Sequence, residues 1–94
     1  MAAIYPDLVG LKKVTGSATA SNVAAGGSSD VTVTLDSDKL IIGIPYVSTS
    51  TANAEVIIVN GGSGGNSFVV RATNNGASAQ NIAIDYTVYV VDGA

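Results

Sequence analysis

The chain consists of short runs in which apolar and polar side chains alternate, separated by small turn-forming residues. The clearest run is DVTVTLD at residues 30–36, where two valines and Leu35 fall on one face of an extended strand and two threonines on the other. An α-helix would scatter this two-residue period around its axis. The pattern therefore predicts a half-buried β-strand and, because similar runs recur along the chain, a β-protein.

Six runs of this kind are expected to form strands. They are a weak or edge strand at 14–25 and further strands at 30–36, 39–47, 54–59, 68–73 and 81–91. The connections between them are mostly short enough to join antiparallel neighbours. We therefore predict an all-β fold, a small antiparallel β-sandwich of jelly-roll type with about six strands.

The residue types agree with this fold. Valine, isoleucine, alanine and leucine must build the core, because only 5% of the chain is aromatic. The 94 residues are enough for one domain with a modest core. Only 12% of them are charged, against about 25% in an average globular chain. Such a lightly charged surface indicates that neighbouring molecules cover part of it.

Residues 1–13, MAAIYPDLVGLKK, differ from the rest and are predicted to form an N-terminal arm ahead of a β-sandwich domain at 14–94. Pro6 interrupts any helix, and Gly10 weakens the following turn. The segment is nevertheless too apolar for a disordered tail. Two alternatives stay open: the arm folds over its own domain, or it reaches into a neighbouring subunit.

Two predicted strands break the rule that one face of a thin sheet stays polar. Neither face of 40–47 is polar, and the second face of 81–91 ends in two large apolar side chains. A two-layer domain buries one face of each sheet, so an apolar second face needs a cover. We therefore predict a homo-oligomer. Its assembly interface is predicted to include Ile4, Tyr5, Leu8, Leu11, Ile41, Val47, Tyr89 and Val91.

The chain lacks most of the side chains that enzymes use. It has no histidine and no cysteine, which excludes Ser–His–Asp triads, Cys–His pairs and thiolate metal ligands. A pair of carboxylates is the remaining catalytic alternative, but only Glu55 and Asp85 lie inside predicted strands, and nothing places them together. We predict a protein that is not an enzyme and that uses no cofactor or metal ion.

Three loops are the places where a recognition surface would lie. The segment DSDK at 36–39 resembles the start of a calcium loop but lacks its later ligands, so a hairpin turn is predicted, with a weak cation site as the alternative. The segment NGGSGGNS at 60–67 has the glycines of a phosphate loop but not its lysine or helix, and a flexible hairpin tip is predicted. The candidate recognition residues are Asn60, Asn66, Asn74 and Asn75.

The sequence also predicts a backbone conformation for residues of the last loop and a salt bridge for one strand residue. Asn74 and Asn75, together with Gly76, suit turn positions with a positive φ. Arg71 is the only arginine and lies on an otherwise apolar strand. We predict that it forms a salt bridge across the sheet to Glu55 or Asp85.

The charge balance bears on the class of partner. A net charge of −3 with a single adjacent basic pair, Lys12 and Lys13, argues against a nucleic-acid partner. No apolar stretch approaches the ~18 residues of a membrane span. No N-terminal stretch has the basic start and long apolar run of a signal peptide. We therefore expect neither a nucleic acid nor a membrane as partner, and synthesis without export.

Three segments of the sequence resemble small β-sandwich modules of bacteriophage virions. They are VAAGGSSDVTVTL, the IPYV strand, and SFVVRATNNGASAQNIAIDYTVYVV. The closing run I-x-Y-x-V-Y is the most specific part, and the resemblance covers roughly residues 15–91. Modules of this type occur in capsid decoration proteins and in tail-fibre tips, some of them akin to H-type lectins.

The resemblance implies a non-enzymatic structural protein of a virion. A free-standing domain with an apolar arm matches a capsid decoration or cement protein, whose subunits, often trimers, reinforce the shell through subunit contacts. The implied partners are further copies of the chain, with a trimer preferred, and a major capsid or other virion protein. The implied location is the virion, after synthesis in the host cytoplasm.

Two other functions remain as alternatives. One is a receptor- or carbohydrate-binding module of a tail fibre, which would use the loops at 60–67 and 74–80. The other is a self-assembling surface filament subunit, with the arm as a donor strand.

Overall fold

The computed structural model describes residues 10–92, which form six β-strands. They are β1 (Lys12–Val23), β2 (Ser28–Thr34), β3 (Lys39–Ser48), β4 (Ala54–Asn60), β5 (Ser67–Asn74) and β6 (Gln80–Asp92). The predictions of an all-β chain and of about six strands are confirmed. Within residues 10–92, no helix is long and apolar enough to cross a membrane.

The strands form two antiparallel three-stranded sheets, named sheet A and sheet B. In sheet A, β6 lies between β1 and β3; in sheet B, β5 lies between β2 and β4. Buried side chains from both sheets form one hydrophobic cluster, so one face of each sheet is turned toward the other. The opposite face of each sheet is its outer face.

Only one connection joins paired neighbours in the same sheet, the hairpin between β4 and β5. The other connections cross from one sheet to the other. This corrects the expectation that the short connections mostly join antiparallel neighbours. Facing sheets are about 10 Å apart, a distance that a few residues span, so a short connection serves a hairpin and a crossing equally well.

The connections gather at the two ends of the molecule. The turn end carries residues 24–27, 49–53 and 75–79; the terminal end carries 35–38 and 61–66, with the start of β1 and the end of β6. Backbone hydrogen bonds tie loops together within each end, such as Asn75 N to Asn53 O at 2.8 Å and Leu35 N to Asn66 O at 2.7 Å. Loops at opposite ends are separated by the length of the strands, about 25 Å.

The core lies between the two central strands. Its fully buried members on these strands are Phe68, Val70 and Ala72 of β5 and Ile82, Ile84, Val88 and Val90 of β6. They stand at every second position, so the alternation in the sequence indicates the buried face of both strands.

Tyr86 occupies the remaining position on the buried face of β6. Its ring meets the ring of Phe68 edge to face, with centroids 5.4 Å apart and 74° between the planes. It also lies against Gly16 of β1, where an added Cβ would come within 2.6 Å of the ring carbon Cζ. A glycine is therefore required at this position of β1 for the ring to stay in place.

β1 begins inside the segment that was predicted to be an arm. Lys12 pairs with Val90 and Lys13 pairs with Tyr89, so the basic pair belongs to sheet A. β6 is the only described strand that pairs with β1, which confirms the prediction of an edge strand in this region. The first nine residues lie outside the described part of the chain, together with the predicted interface residues Ile4, Tyr5 and Leu8.

Candidate assembly surface

β3 exposes more large apolar side chains than any other described strand. On the inner side of this strand, Ile41 and Pro45 are buried and Val47 packs against the core. Its outer side exposes three large side chains, Ile42, Ile44 and Tyr46. An edge strand with apolar side chains on both faces has one face left for contacts outside the domain.

The exposed side chains of β3 stand on and beside a β-bulge. Ile42 pairs with Tyr89 and Tyr46 pairs with Thr87, so three residues of β3 oppose a single residue of β6 between these pairs. The glycine that follows Ile42 has a φ of +77°, which glycine adopts without strain. Bulges re-aim side chains, and this one leaves Ile44 80% exposed.

The loop 61–66 supports the bulge from the free edge of β3. Ile41 N donates to Gly65 O at 2.8 Å, and Gly64 N donates to Ile41 O at 2.9 Å. Gly62 makes this path possible, because its φ is +70° and a Cβ there would overlap a backbone carbonyl oxygen of β5. The predicted hairpin is confirmed, but its tip is hydrogen-bonded to β3 instead of being free.

Ile42, Ile44, Tyr46 and Tyr89 form the apolar patch of sheet A. Tyr46 is 67% exposed, and Ile42 and Tyr89 lie side by side, each close to half exposed. Leu11, immediately before β1, is a further exposed apolar side chain close to the terminal end. The four residues together expose about 500 Å², which lies in the upper half of the range for the largest patch of a typical monomer.

Polar side chains replace apolar ones toward the turn end of the same face. Thr15 and Thr87 lie in the same row as Tyr46, and the next row has Ser17 and Asp85. The patch therefore has an apolar centre with a polar border on this side. That distribution is typical of a protein–protein interface.

Asp92 joins the ends of the three strands of sheet A at the terminal end. Its carboxylate accepts hydrogen bonds from Lys39 Nζ at 2.7 Å and from Lys12 Nζ at 3.0 Å. The hydrogen bond from Lys39, followed by that from Lys12, holds the pKa of Asp92 below its ordinary value. The same bond to Asp92 raises the pKa of Lys39. Lys39 Nζ also lies 3.4 Å from Asp38 Oδ2, so two positive and two negative charges compensate one another and stabilise the strand ends.

The outer face of sheet B carries an ion pair. Arg71 donates to both carboxylate oxygens of Asp30, from Nε at 2.8 Å and from Nη2 at 3.1 Å. This corrects the predicted partners Glu55 and Asp85. Asp30 stands directly opposite Arg71 in the β2–β5 pair, and the register of that pair is not readable from either strand alone.

The structure revises the membership of the predicted interface. Leu11 and Tyr89 are exposed, and Val91 is half-buried. Ile41 is fully buried and is corrected from an interface residue to an interior one, whereas Val47 is half-buried and packs against the core. Both faces of this strand are apolar, so the alternation could not show which one turns inward.

Three residues of the apolar patch were not predicted as interface residues, namely Ile42, Ile44 and Tyr46. The signal that could have identified them is the presence of Gly43 and Pro45 inside an otherwise apolar strand. Glycine and proline inside a strand mark a bulge or an edge, and a bulge changes which side chains face outward.

The candidate recognition residues do not come together. Asn60 and Asn66 lie at the terminal end, whereas Asn74 and Asn75 lie at the turn end, about 25 Å away along β5. Asn66 donates to the carbonyl of Leu35 at 3.1 Å, and Asn74 is fully buried, so both serve the domain itself. Asn60 and Asn75 are exposed. None of Asn74, Asn75 and Gly76 has the predicted positive φ.

The candidates for catalysis and metal binding are dispersed as well. Glu55 lies on the outer face of sheet B and Asp85 on that of sheet A, whereas a catalytic carboxylate pair stands about 5–9 Å apart. Residues 36–39 form a turn, closed by a hydrogen bond from Lys39 N to Asp36 O at 3.0 Å. It is not the predicted hairpin, because it leads from β2 in sheet B to β3 in sheet A. Among the side chains described, no cluster of three acidic groups is placed to hold a metal ion.

No family model matches the chain, and no curated protein or solved structure matches it. Its function is therefore inferred from its own surface, on which the apolar patch is the most distinctive feature.

Proposed function

We propose that this chain is a non-enzymatic structural protein that acts by assembly, and specifically a decoration or cement protein of a virus capsid. It associates with further copies of itself through the apolar patch and binds a major capsid or other virion protein. Its place of action is the virion, after synthesis in the host cytoplasm. The role requires no cofactor, nucleic acid or membrane.

The observation that carries the assembly role is the exposure of Ile44. A single exposed isoleucine is ordinary in itself. This one is 80% exposed on a bulge, and the loop 61–66 is hydrogen-bonded to Ile41, just before that bulge. Tyr46 and Tyr89 belong to the same patch, and tyrosine is enriched at protein interfaces. A fixed apolar projection of this kind is suited to fill a pocket on a neighbouring subunit.

The size of the patch supports the same role. Its exposed area of about 500 Å² is the larger part of the ~800 Å² that each partner contributes to a stable interface. Association of the folded subunits then stabilises them by linkage, because the unfolded chain does not present the patch. A shell that binds the subunit only when assembled is stabilised in the same way.

We also propose a jelly-roll-like sandwich with an N-terminal arm as the full architecture. The strand order supports the sandwich, since β1-β6-β3 and β2-β5-β4 place most consecutive strands in different sheets. The point of attachment supports an assembly role for the arm. β1 begins at the terminal end, where Leu11 and the apolar patch are exposed.

The virion setting rests on the resemblance of residues 15–91 to phage β-sandwich modules. A tail-fibre recognition module has less support, because its candidate loop residues lie at opposite ends of the molecule. A filament subunit could use the same apolar patch. The neighbouring genes distinguish these roles: a major capsid gene supports decoration, and pilus-type genes support a filament.

Replacing Ile44 by aspartate tests the assembly role. The substitution places a charge at the centre of the proposed interface, where it has no partner. We expect the variant to sediment as a smaller species than the native chain in analytical ultracentrifugation. The side chain is exposed, so circular dichroism and thermal unfolding should show a retained fold.

Ile57→Asp is the matched control. Ile57 is also an exposed isoleucine of an edge strand, at 54%, but it lies on the outer face of sheet B. We expect this variant to sediment like the native chain. The proposed function is wrong if the native chain is a monomer at every concentration, or if Ile44→Asp leaves its assembly unchanged.

A further inference from the structure

β1 has the longest sheet edge in the described part of the chain. It has 12 residues, and β6 pairs with one side of it only. The pairing with β6 is regular from Lys12 to Ala20, and the register shifts only after that residue. The outer edge of this regular stretch therefore presents extended backbone to which another strand can be added.

The other edge strands are shorter or covered. β3 contains a bulge and a proline, and the loop 61–66 is hydrogen-bonded to it. β2 and β4 have 7 residues each, and β4 changes register after Ile58. Proteins protect sheet edges with prolines, bulges, covering loops and charges. Between Val14 and Ala20, β1 has none of these among the described residues.

We propose that the edge of β1 pairs with β1 of a second copy of this chain. The two strands run antiparallel about Gly16, the middle residue of the regular stretch. They join two copies of sheet A into one six-stranded sheet related by a two-fold axis. This contact extends the proposed assembly role but uses none of the residues of the apolar patch.

The two lysines at the start of β1 select the antiparallel arrangement. In a parallel pair in register, Lys12 and Lys13 would face the same residues of the second copy, and like charges directly opposite each other destabilise a sheet. In the antiparallel pair, Lys13 faces Thr19 of the second copy. The two Lys13 positions are then about 20 Å apart, where solvent and salt screen their repulsion.

The side chains near the axis suit a self-pairing strand. Thr15 and Ser17 are exposed on the outer face. In the proposed pair, Thr15 lies opposite Ser17 of the second copy, and Ser17 lies opposite its Thr15. Cross-strand pairs of threonine and serine are favourable in antiparallel sheets. On the inner face, Gly16 and Ala18 are small and uncharged. The second copy therefore meets neither bulk nor charge at the axis.

Charge substitutions at the axis test this pairing. One variant replaces Thr15 and Ser17 by lysine, and a second replaces both by glutamate. Each variant brings four like charges together at the axis, and we expect its dimer dissociation constant to rise at least ~10-fold. Mixing the two variants pairs lysine with glutamate. Native mass spectrometry should then detect a restored dimer that contains one chain of each kind.

The substitutions are made in an Ile44→Asp background, in which the dimer through β1 is the contact that remains. Thr32→Lys with Thr34→Lys is the matched control, because both threonines are exposed on an edge strand of sheet B. This control should dimerise like its parent. The pairing is refuted if the Ile44→Asp parent is monomeric, or if the lysine and glutamate variants dimerise as well as the parent does. Neither outcome alters the comparison of Ile44→Asp with the native chain, which tests the proposed function.

Discussion

Asn74 is fully buried, the only polar residue so placed in the described part of the chain, and it uses its whole hydrogen-bonding capacity. Its Nδ2 donates to Val23 O and to Ser78 O, both at 2.9 Å. Its Oδ1 accepts from Gly76 N at 2.8 Å and from Gln80 Nε2 at 2.9 Å. The side chain therefore joins the end of β1 to the connection between β5 and β6, and it acts as an internal brace of the turn end.

Replacing Asn74 by alanine should destabilise the fold by about 2–4 kcal/mol, because several buried donors and acceptors lose their partners. Urea unfolding at a fixed protein concentration measures the change. Asn75→Ala is the neighbouring control, and its exposed side chain predicts a change below about 0.5 kcal/mol. Equal stability of the two variants would show that the buried amide is dispensable.

At the scale of the secondary-structure elements, ion pairs between Lys12, Asp92 and Lys39 join the ends of β1, β6 and β3. The pKa of Asp92 is lowered in the folded chain, so its pairing stabilises the fold above the ordinary carboxyl pKa of about 3.9. That stabilisation is lost as the pH falls through the lowered pKa. The raised pKa of Lys39 has the opposite sign, and its contribution is lost only as the pH rises above about 10.4.

Asp92→Asn should therefore lower the Tm at about pH 7, and its difference from the native chain should shrink as the pH is lowered to about 3. Protonation removes the same charge from the native chain, so the two proteins become alike in acid. Thermal unfolding of both proteins across this range checks the prediction. A difference that does not change with pH would contradict it.

At the scale of the whole molecule, sheet A provides two separate surfaces for association. The apolar patch lies on its outer face, mainly on β3 and β6, whereas the proposed pairing edge is the free side of β1. The two contacts use different residues and do not compete. A subunit that has a two-fold edge contact and a second, different contact can build assemblies larger than a dimer.

Association of folded subunits makes the Tm of the native chain depend on its concentration. A hundredfold dilution should lower the Tm by about 5–10 °C, because only the folded state gains free energy from association. Differential scanning calorimetry over a concentration series measures this shift. A chain that carries Ile44→Asp together with lysine at positions 15 and 17 should show no shift. The same Tm for the native chain at all concentrations would contradict both proposed contacts.

The sequence by itself determined the strands and the buried faces of the central ones. In β5 and β6, large apolar side chains stand at every second position, so one local period indicates both the element and its inner face. The lack of histidine and cysteine likewise excludes catalytic triads, Cys–His pairs and thiolate metal ligands, and this follows from the sequence alone. These features depend only on residues that are close together along the chain.

Only the tertiary structure decided the strand order, which face of β3 turns toward the core, and which residue pairs with Arg71. Short connections suit hairpins and crossings alike, so their lengths could not reveal that most strands change sheet. β3 is apolar on both faces, and its bulge and the loop 61–66 turn Ile41 inward and Ile44 outward. Arg71 forms its ion pair with Asp30 because β2 and β5 pair side by side, although the two residues are 41 positions apart in the sequence. Such features arise from contacts between distant segments, which a local pattern does not encode.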